Sequence, residues 1–373
     1  MRHYLDHAAT TPLLPESREA MLPWLGPVAN ASSLHSEGRA ARAAVDSARQ
    51  AIAECIGCLF GEIVFTSSGT EAANLALIGS ALANSNPGRN RILVGATEHH
   101  CVLHCTPLLQ RLGYLVDEVP ADRESRIVPG ALCELLGDDV LLVSVMQANN
   151  ETGAVNETRE LAAMAASSGA LFHSDAVQTF PQRFVFAGDL VSMSSHKTYG
   201  PAGVGALYIR AGTKISPVSL GGGQERDMRA GTENVAALVG FAHAANHFRN
   251  NDFGSEMRAA RDALAAELLL HGFEATVRHG PILPGHFHCR CPGIDSERML
   301  IRLDRAGVSA SSGAACSSGS LEPSHVLLAC GYTPKEAREG LRFSFGKDAT
   351  VEAALDAARL VIDVAERIKR GRH

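Results

Sequence analysis

The chain is poor in the residues that several functional classes depend on. It has one tryptophan and five tyrosines in 373 residues, and no segment gathers basic residues into a stripe that could track a phosphate backbone. Nucleic acid is therefore not an expected partner. No run of eighteen apolar residues occurs, so no membrane-spanning helix is expected. The opening Met1-Arg2-His3-Tyr4-Leu5-Asp6 lacks the apolar core of a secretion signal. The nine cysteines are an odd number in a chain too large to need disulfide staples, and they read as reduced thiols of a cytoplasmic protein. No Gly-x-Gly-x-x-Gly follows an apolar run, which argues against a nicotinamide-binding turn. Lysine is scarce too. Only Lys197, Lys214, Lys335, Lys347 and Lys369 are present.

What remains is ordinary for a large globular protein: 46% apolar residues, 20% charged residues and a net charge of −6. The length suits two domains. Short apolar runs at Ile63–Phe65, Arg91–Gly95, Val140–Val145, Ala170–Phe172, Leu190–Met193 and Gly203–Ile209 read as buried strands. Helical patterns such as Thr158–Ser167 lie between several of them. The alternation predicts an α/β domain with a mostly parallel sheet. Beyond residue 250 the pattern changes. Ser255 is expected to cap a helix through Leu270, with Met257, Ala260, Leu264 and Leu268 inward and Gly272 as the stop. A last helix follows Thr350, with Val351, Leu355, Ala358, Ile362 and Ala365 at helical spacing. The expected division is a large domain over 15–250, and a smaller α+β domain formed by 1–14 with 251–373.

In an open parallel sheet, ligands gather at the carboxyl ends of the strands. Polar groups follow the apolar runs there. Thr66 to Glu71 opens a helix whose N-terminal N–H groups suit a phosphate. Thr97-Glu98-His99-His100 follows the second run, Gln147 to Gly153 the third, His173 to Gln178 the fourth and Ser194-Ser195-His196-Lys197 the fifth. Each alone reads as a capped turn. Together they supply a phosphate cup, an imidazole, amides, a carboxylate and Lys197, the one lysine that follows a strand at this edge. A lysine beside apolar strands has its charged form disfavoured and can bond to a carbonyl cofactor. An opposed aspartate can hold a pyridine nitrogen protonated. Pyridoxal phosphate fits this set.

The motifs resemble those of the cysteine desulfurases, fold type I pyridoxal-phosphate enzymes of the class-V aminotransferase group. They run nearly end to end: Tyr4 to Thr11, Asn30 to His35, Asn149 to Gly153, Ser194 to Pro201, Gly221 to Glu225 and Arg229 to Asn234. The resemblance implies that Lys197 carries the cofactor and that His99 stacks on its ring and moves protons. It puts Asp175 at the ring nitrogen, with Gln178 and Asn150 near the ring's phenolic oxygen and the substrate. Gly69, Thr70, Ser194 and His196 would hold the phosphate. Thr232 would reach the phosphate of a neighbouring subunit, which implies a homodimer. Arg342 would clamp the carboxylate of L-cysteine; it alternates with Leu341 and Phe343 along a strand. Cys316 matches the family's catalytic thiol and would receive sulfur as a persulfide for a sulfur-acceptor or iron–sulfur scaffold protein. Its surroundings, Ser309 to Ser320, hold nothing larger than cysteine and are expected to move freely. Selenocysteine lyase is the alternative on the same cofactor. Departures from the family pattern are His7 for Asn, Ala202 for Lys, and Ala314-Ala315 ahead of Cys316. Cys55 and Cys58 have metal-ligand spacing but no second pair, so they read as structural thiols, and no metal site is expected.

Overall fold

A computed structural model describes residues 2–181, 187–312 and 322–371. The first strand, β1 (His3–Tyr4), pairs with a strand three hundred residues later. The central sheet follows: β2 (Ile63–Thr66), β3 (Arg91–Gly95), β4 (Leu115–Val119), β5 (Val140–Ser144), β6 (Leu171–Asp175), β7 (Leu190–Ser194) and β8 (Gly205–Ile209). Their spatial order is β2-β8-β7-β6-β5-β3-β4. Only β8 runs antiparallel to its neighbours, β2 and β7. Strands β2 to β7 therefore all point the same way, and their carboxyl ends share one edge.

The pleat divides the core into two layers. Ile63 and Phe65 face one way, packing with Val191, Met193 and Ala206 against the helices Ser36–Ile56 and Val235–Asn250. Val64 faces the other way, with Ile92, Val94, Leu142 and Leu207 against the helix Gly69–Ala83. Buried on both faces, these strands read as unbroken apolar runs.

A second apolar cluster joins Leu5 to residues between Ala260 and Ile368. It is organised by β9 (Glu274–Ala275), β10 (His286–Arg290), β11 (Val308–Ser309) and β12 (Gly340–Ser344). The order β12-β10-β9 is antiparallel throughout, and β11 is the parallel partner of β1. Helices Gly254–Leu270 and Val351–Lys369 pack against each other over this sheet.

Several expectations need correction. Strand β4 was not among the expected strands. It is an edge strand whose Asp117 and Glu118 face outward, Asp117 pairing with Arg91 at 2.6 Å, so it shows no apolar run. Strand β6 continues past Phe172 through Asp175, so His173 lies inside it. The imidazole is satisfied there by Ser144 Oγ at 2.8 Å and Ser192 Oγ at 3.1 Å, which is what lets polar residues occupy a buried strand. Ser255 is not a cap. The helix begins at Gly254, and the Ser255 hydroxyl donates to Glu256 at 2.8 Å. The last helix follows Thr350 as expected, its hydroxyl accepting from Ala353 N–H, but its buried seam is Ala354, Ala357, Ala358, Val361, Val364, Ala365 and Ile368. Val351 is exposed and Leu355 and Ile362 only half-buried. Four of those seven buried residues are alanines, so the seam is only partly marked by large apolar side chains.

Candidate functional site

The shared sheet edge opens into a cavity of about 250 Å³. Its walls include Gly69, Thr70, His99, Asn150, Asp175, Gln178, Ser194, His196, Lys197 and Arg342. Nearly every residue singled out from the sequence thus meets at one place, although they are drawn from five strand ends and from β12. Two do not. Thr232 sits on an exposed loop before the helix Val235–Asn250, away from this cavity in its own chain. Cys316 lies outside the described residues.

Lys197 closes a one-turn 3-10 helix after β7. Its Nζ donates to the carbonyls of Ala8 at 2.5 Å and Ala9 at 2.8 Å. Gln178 Nε2 donates to the same Ala8 oxygen at 3.1 Å, and Thr11 holds the His196 carbonyl with both its N–H and its hydroxyl. The N-terminal segment is thereby latched across the strand ends. These backbone acceptors were not legible from the sequence, because they lie about 190 positions from the lysine and carry no side-chain signature.

Asp175 ends β6 and is 6% exposed. Oδ1 accepts from Val177 N–H at 2.9 Å, yet burial pushes the carboxyl up to about 6, against a smaller pull downward from Lys197. A buried carboxylate in this state favours a cationic partner. Glu98 is buried as well, its acid pushed far up by desolvation and by the neighbouring Asp175, and it bonds the N–H of Met146. Cys101 also lines the cavity, with Sγ 4.0 Å from Asp175 Oδ2. Neither Glu98 nor Cys101 was assigned a role from the sequence; their nearness to His99 was the only available signal.

His99 precedes a short helix, and its Nδ1 accepts from Cys101 N–H at 3.1 Å. Burial, then the charge of Lys197, pushes its pKa down to about 4, so the ring is neutral near pH 7. His196 is pushed to about 4 by the same two causes. At the opposite wall, Arg342 is 4% exposed. Nη1 donates to the Asn150 carbonyl at 2.8 Å and Nη2 to Asp6 at 2.7 Å, while the buried Nε meets no acceptor among the described residues. Asn149 ties two strand ends together, donating to Thr97 O at 2.9 Å and accepting from Glu151 and Thr152 N–H at 2.9 Å each.

The wall beside Ser194 belongs to Gly69. A Cβ there would lie 2.6 Å from Val177 and 3.3 Å from Ser194, so only glycine allows this backbone to approach. The N–H groups opening the fifteen-residue helix then border the cavity, and a phosphate suits them. Phosphate donors at one end, a buried carboxylate at another, a lysine amine, a neutral imidazole and an orphaned guanidinium N–H together match pyridoxal phosphate with an amino acid beside it.

Comparison with known proteins agrees with this geometry. The family model for class-V aminotransferases matches residues 3–355. The cysteine desulfurase IscS of Dictyoglomus turgidum is 42% identical, the match covering 98% of this chain and 94% of that protein. The chain belongs to the class-V aminotransferase family, among its cysteine desulfurases. The IscS-like cysteine desulfurase of Mycobacterium tuberculosis is 40% identical over 96% of this chain and 95% of its own length. Among solved structures, a NifS-like protein superposes with a TM-score of 0.90 at 30% identity, covering 98% of this chain and all of that one. DndA from Streptomyces lividans gives 0.77 at 33% identity, over 91% and 99%. The fold is that of the NifS-like fold type I enzymes, and pyridoxal phosphate is the cofactor of the family.

Burial pushes the Cys55 thiol up to about 11, and burial with the charge of Glu62 pushes Cys58 up to about 12, so both are protonated near neutral pH. No helix among the described residues is long and apolar enough to cross a membrane.

Proposed function

We propose that this chain converts L-cysteine to L-alanine and transfers the sulfur to Cys316 as a persulfide. The observation that carries the reading is the convergence of Lys197, Asp175, His99 and Arg342 on one cavity from separate parts of the chain. Bound pyridoxal phosphate supplies an electron sink for the bond broken at the substrate's Cα. Arg342 would orient the substrate carboxylate, using the Nε that meets no acceptor. Lys197 would take the Cα proton and return it. Asp175 would keep a proton on the ring nitrogen, and neutral His99 would stack on the ring and pass protons. Asn150 and Gln178 would sit near the phenolic oxygen and the substrate; Gly69, Thr70, Ser194 and His196 would hold the phosphate.

The sulfur step balances without an outside oxidant or reductant. The Cys316 thiolate attacks the substrate sulfur, a sulfur–sulfur bond forms, the carbon–sulfur bond breaks, and the released electron pair takes up a proton at carbon to give alanine. Incubating the loaded enzyme with L-cysteine should yield alanine together with a mass gain of one sulfur atom on the Cys316 peptide. Cys316→Ala should abolish both. Alanine formed equally fast by that variant would overturn the role of this thiol.

The finer reading follows from the same site. Residues 15–250 would form the cofactor domain, and 1–14 with 251–373 the smaller domain carrying Cys316. The enzyme would act in the cytoplasm as a homodimer, with Thr232 reaching the partner's phosphate, and would pass its sulfur to an acceptor or iron–sulfur scaffold protein.

A further inference from the structure

A histidine that stacks on a cofactor ring must hold one orientation. The turn at His99 supplies part of that, since Nδ1 accepts from Cys101 N–H at 3.1 Å. The rest comes from 227 positions beyond Glu98. His325 Nε2 lies 2.9 Å from the Glu98 carbonyl oxygen, which belongs to the peptide group leading into His99. A carbonyl can only accept, so the imidazole proton is on Nε2. The same ring lies against His100, with ring centres 4.4 Å apart and planes tilted by 31°. His100 in turn stacks on His104 at 4.6 Å and 8°. His325 therefore touches the residue before His99 and the residue after it.

The mount of that ring is itself fixed. His325 opens the helix His325–Ala329, whose Val326 and Leu327 are fully buried in a small cluster with Cys330, Tyr332 and Ala337. Ser324, just before it, accepts from Leu327 N–H at 3.1 Å and donates to Glu151 Oε2 at 2.5 Å. Glu151 is buried and adjoins Asn150 at the cavity wall. A side chain on so anchored a base can hold a neighbour in place. Its target is buried as well, because Glu98 is almost without solvent access. A buried carbonyl that loses a donor is costly, and the peptide group ahead of His99 would turn to find another.

We propose that His325 is a positioning residue for His99, holding the Glu98 carbonyl on one side and the His100 ring on the other so that the His99 imidazole keeps one pose and one tautomer. The proposal rests on the role given to His99 above. His325 acts only through its neighbours: it is not among the described residues lining the cavity, and it gives up no proton. What the site requires of it is an N–H at the reach of Nε2, together with a flat group against His100. A glutamine amide offers the N–H without the ring, and phenylalanine offers the ring without the N–H. The two substitutions therefore separate the hydrogen bond from the packing.

The first test is NMR of the full-length cofactor-free chain carrying isotope-labelled histidine. In the wild type near neutral pH, His325 should carry its proton on Nε2, and His99 should show a single tautomer with a bare Nδ1. His325→Phe should split or shift the His99 Nδ1 signal, and His325→Gln should keep it as in the wild type. The second test is alanine release by the loaded enzymes. His325→Phe should lower kcat about tenfold with KM within about twofold, the scale expected when a catalytic group is misplaced rather than removed. His325→Gln should recover most of that loss. A His325 protonated on Nδ1 alone, a folded His325→Phe with unchanged His99 signals, or equal loss in both variants would overturn the proposal. Should His325→Phe not fold, the wild-type tautomer and the His325→Gln spectrum decide, and a His99 signal altered by glutamine counts against the proposal. A His99→Gln enzyme that forms alanine at the wild-type rate would instead defeat the role given to His99, while the effect of His325 on the His99 spectrum would still be readable.

Discussion

Asp175 shows how a residue chosen for chemistry is held at a cost to the fold. Burial lifts its folded pKa from 3.8 to about 6. Between those values the folded chain binds more protons than the unfolded one, so stability falls as pH rises through that window. Above it the ionised carboxylate costs up to about 3 kcal/mol, taking 1.36 kcal/mol per unit. Asp175→Asn should therefore stabilise the cofactor-free chain by about 1–3 kcal/mol at pH 7.5 while weakening cofactor retention, and the stability gain should shrink as pH approaches 4. Urea melts at several pH values would test this; a gain independent of pH would contradict it. Arg342 carries the opposite expectation. Its guanidinium already spans the Asn150 carbonyl and Asp6, and a carboxylate would add charge-assisted bonds worth about 1.5–3 kcal/mol. Arg342→Gln should raise KM for L-cysteine about ten- to hundredfold and change kcat less, measured by alanine release. Equal KM in the two enzymes would remove Arg342 from substrate binding.

Along whole elements, what the sequence reveals depends on how each one is buried. Strands buried on both faces were legible because they are apolar throughout, and Lys197, the one lysine at the carboxyl ends of the parallel strands, marked the functional edge. The helix Thr158–Ser167 lies where its periodicity places it although no side chain caps its start, and Gly69–Ala83 opens behind Ser68, whose hydroxyl accepts from Glu71 N–H. Edge strand β4 was hidden by its outward carboxylates, and the seam of Val351–Lys369 by the alanines that make up four of its seven buried residues. Long-range latches left no trace at all. The loop around Glu225 is the clearest case. Glu225, Arg226 and Asp227 all hold positive φ, between 48° and 64°, in residues that do not favour it. What fixes them is a pair with almost no solvent access: Arg49 Nη1 and Nη2 each reach Glu225 at 2.6 Å, and Phe65 N–H donates to the same carboxylate at 2.7 Å. Removing one partner leaves an uncompensated buried charge, at a cost of about 3–5 kcal/mol. Glu225→Ala should lower the unfolding free energy by about that amount, whereas Arg49→Met with Glu225→Leu should lose much less. Denaturant unfolding of the two variants decides it; similar losses would show that the pair is not what stabilises the loop.

That loop leads, at the scale of the whole molecule, to Thr232, which the fold carries away from its own cavity. Thr232 is exposed in its own chain, seven positions after the buried Glu225 and two before the helix cap Asn234. If the site is completed by a second copy, two defective chains should repair each other. In a mixed dimer of Lys197→Ala with Thr232→Asp, one site combines both lesions and the other draws an intact Lys197 from one chain and an intact Thr232 from its partner. The aspartate repels a phosphate strongly, so each parent homodimer should be nearly inactive. Co-expression with two affinity tags isolates the mixed species, which should regain about half the wild-type activity per dimer, one site of two being whole. Were Thr232 to act within its own chain, both sites of the mixed dimer would carry one lesion each and no activity would return. A monomer in solution by light scattering, retaining full turnover, would exclude the shared site on independent grounds, because no neighbouring chain would be present to supply the threonine.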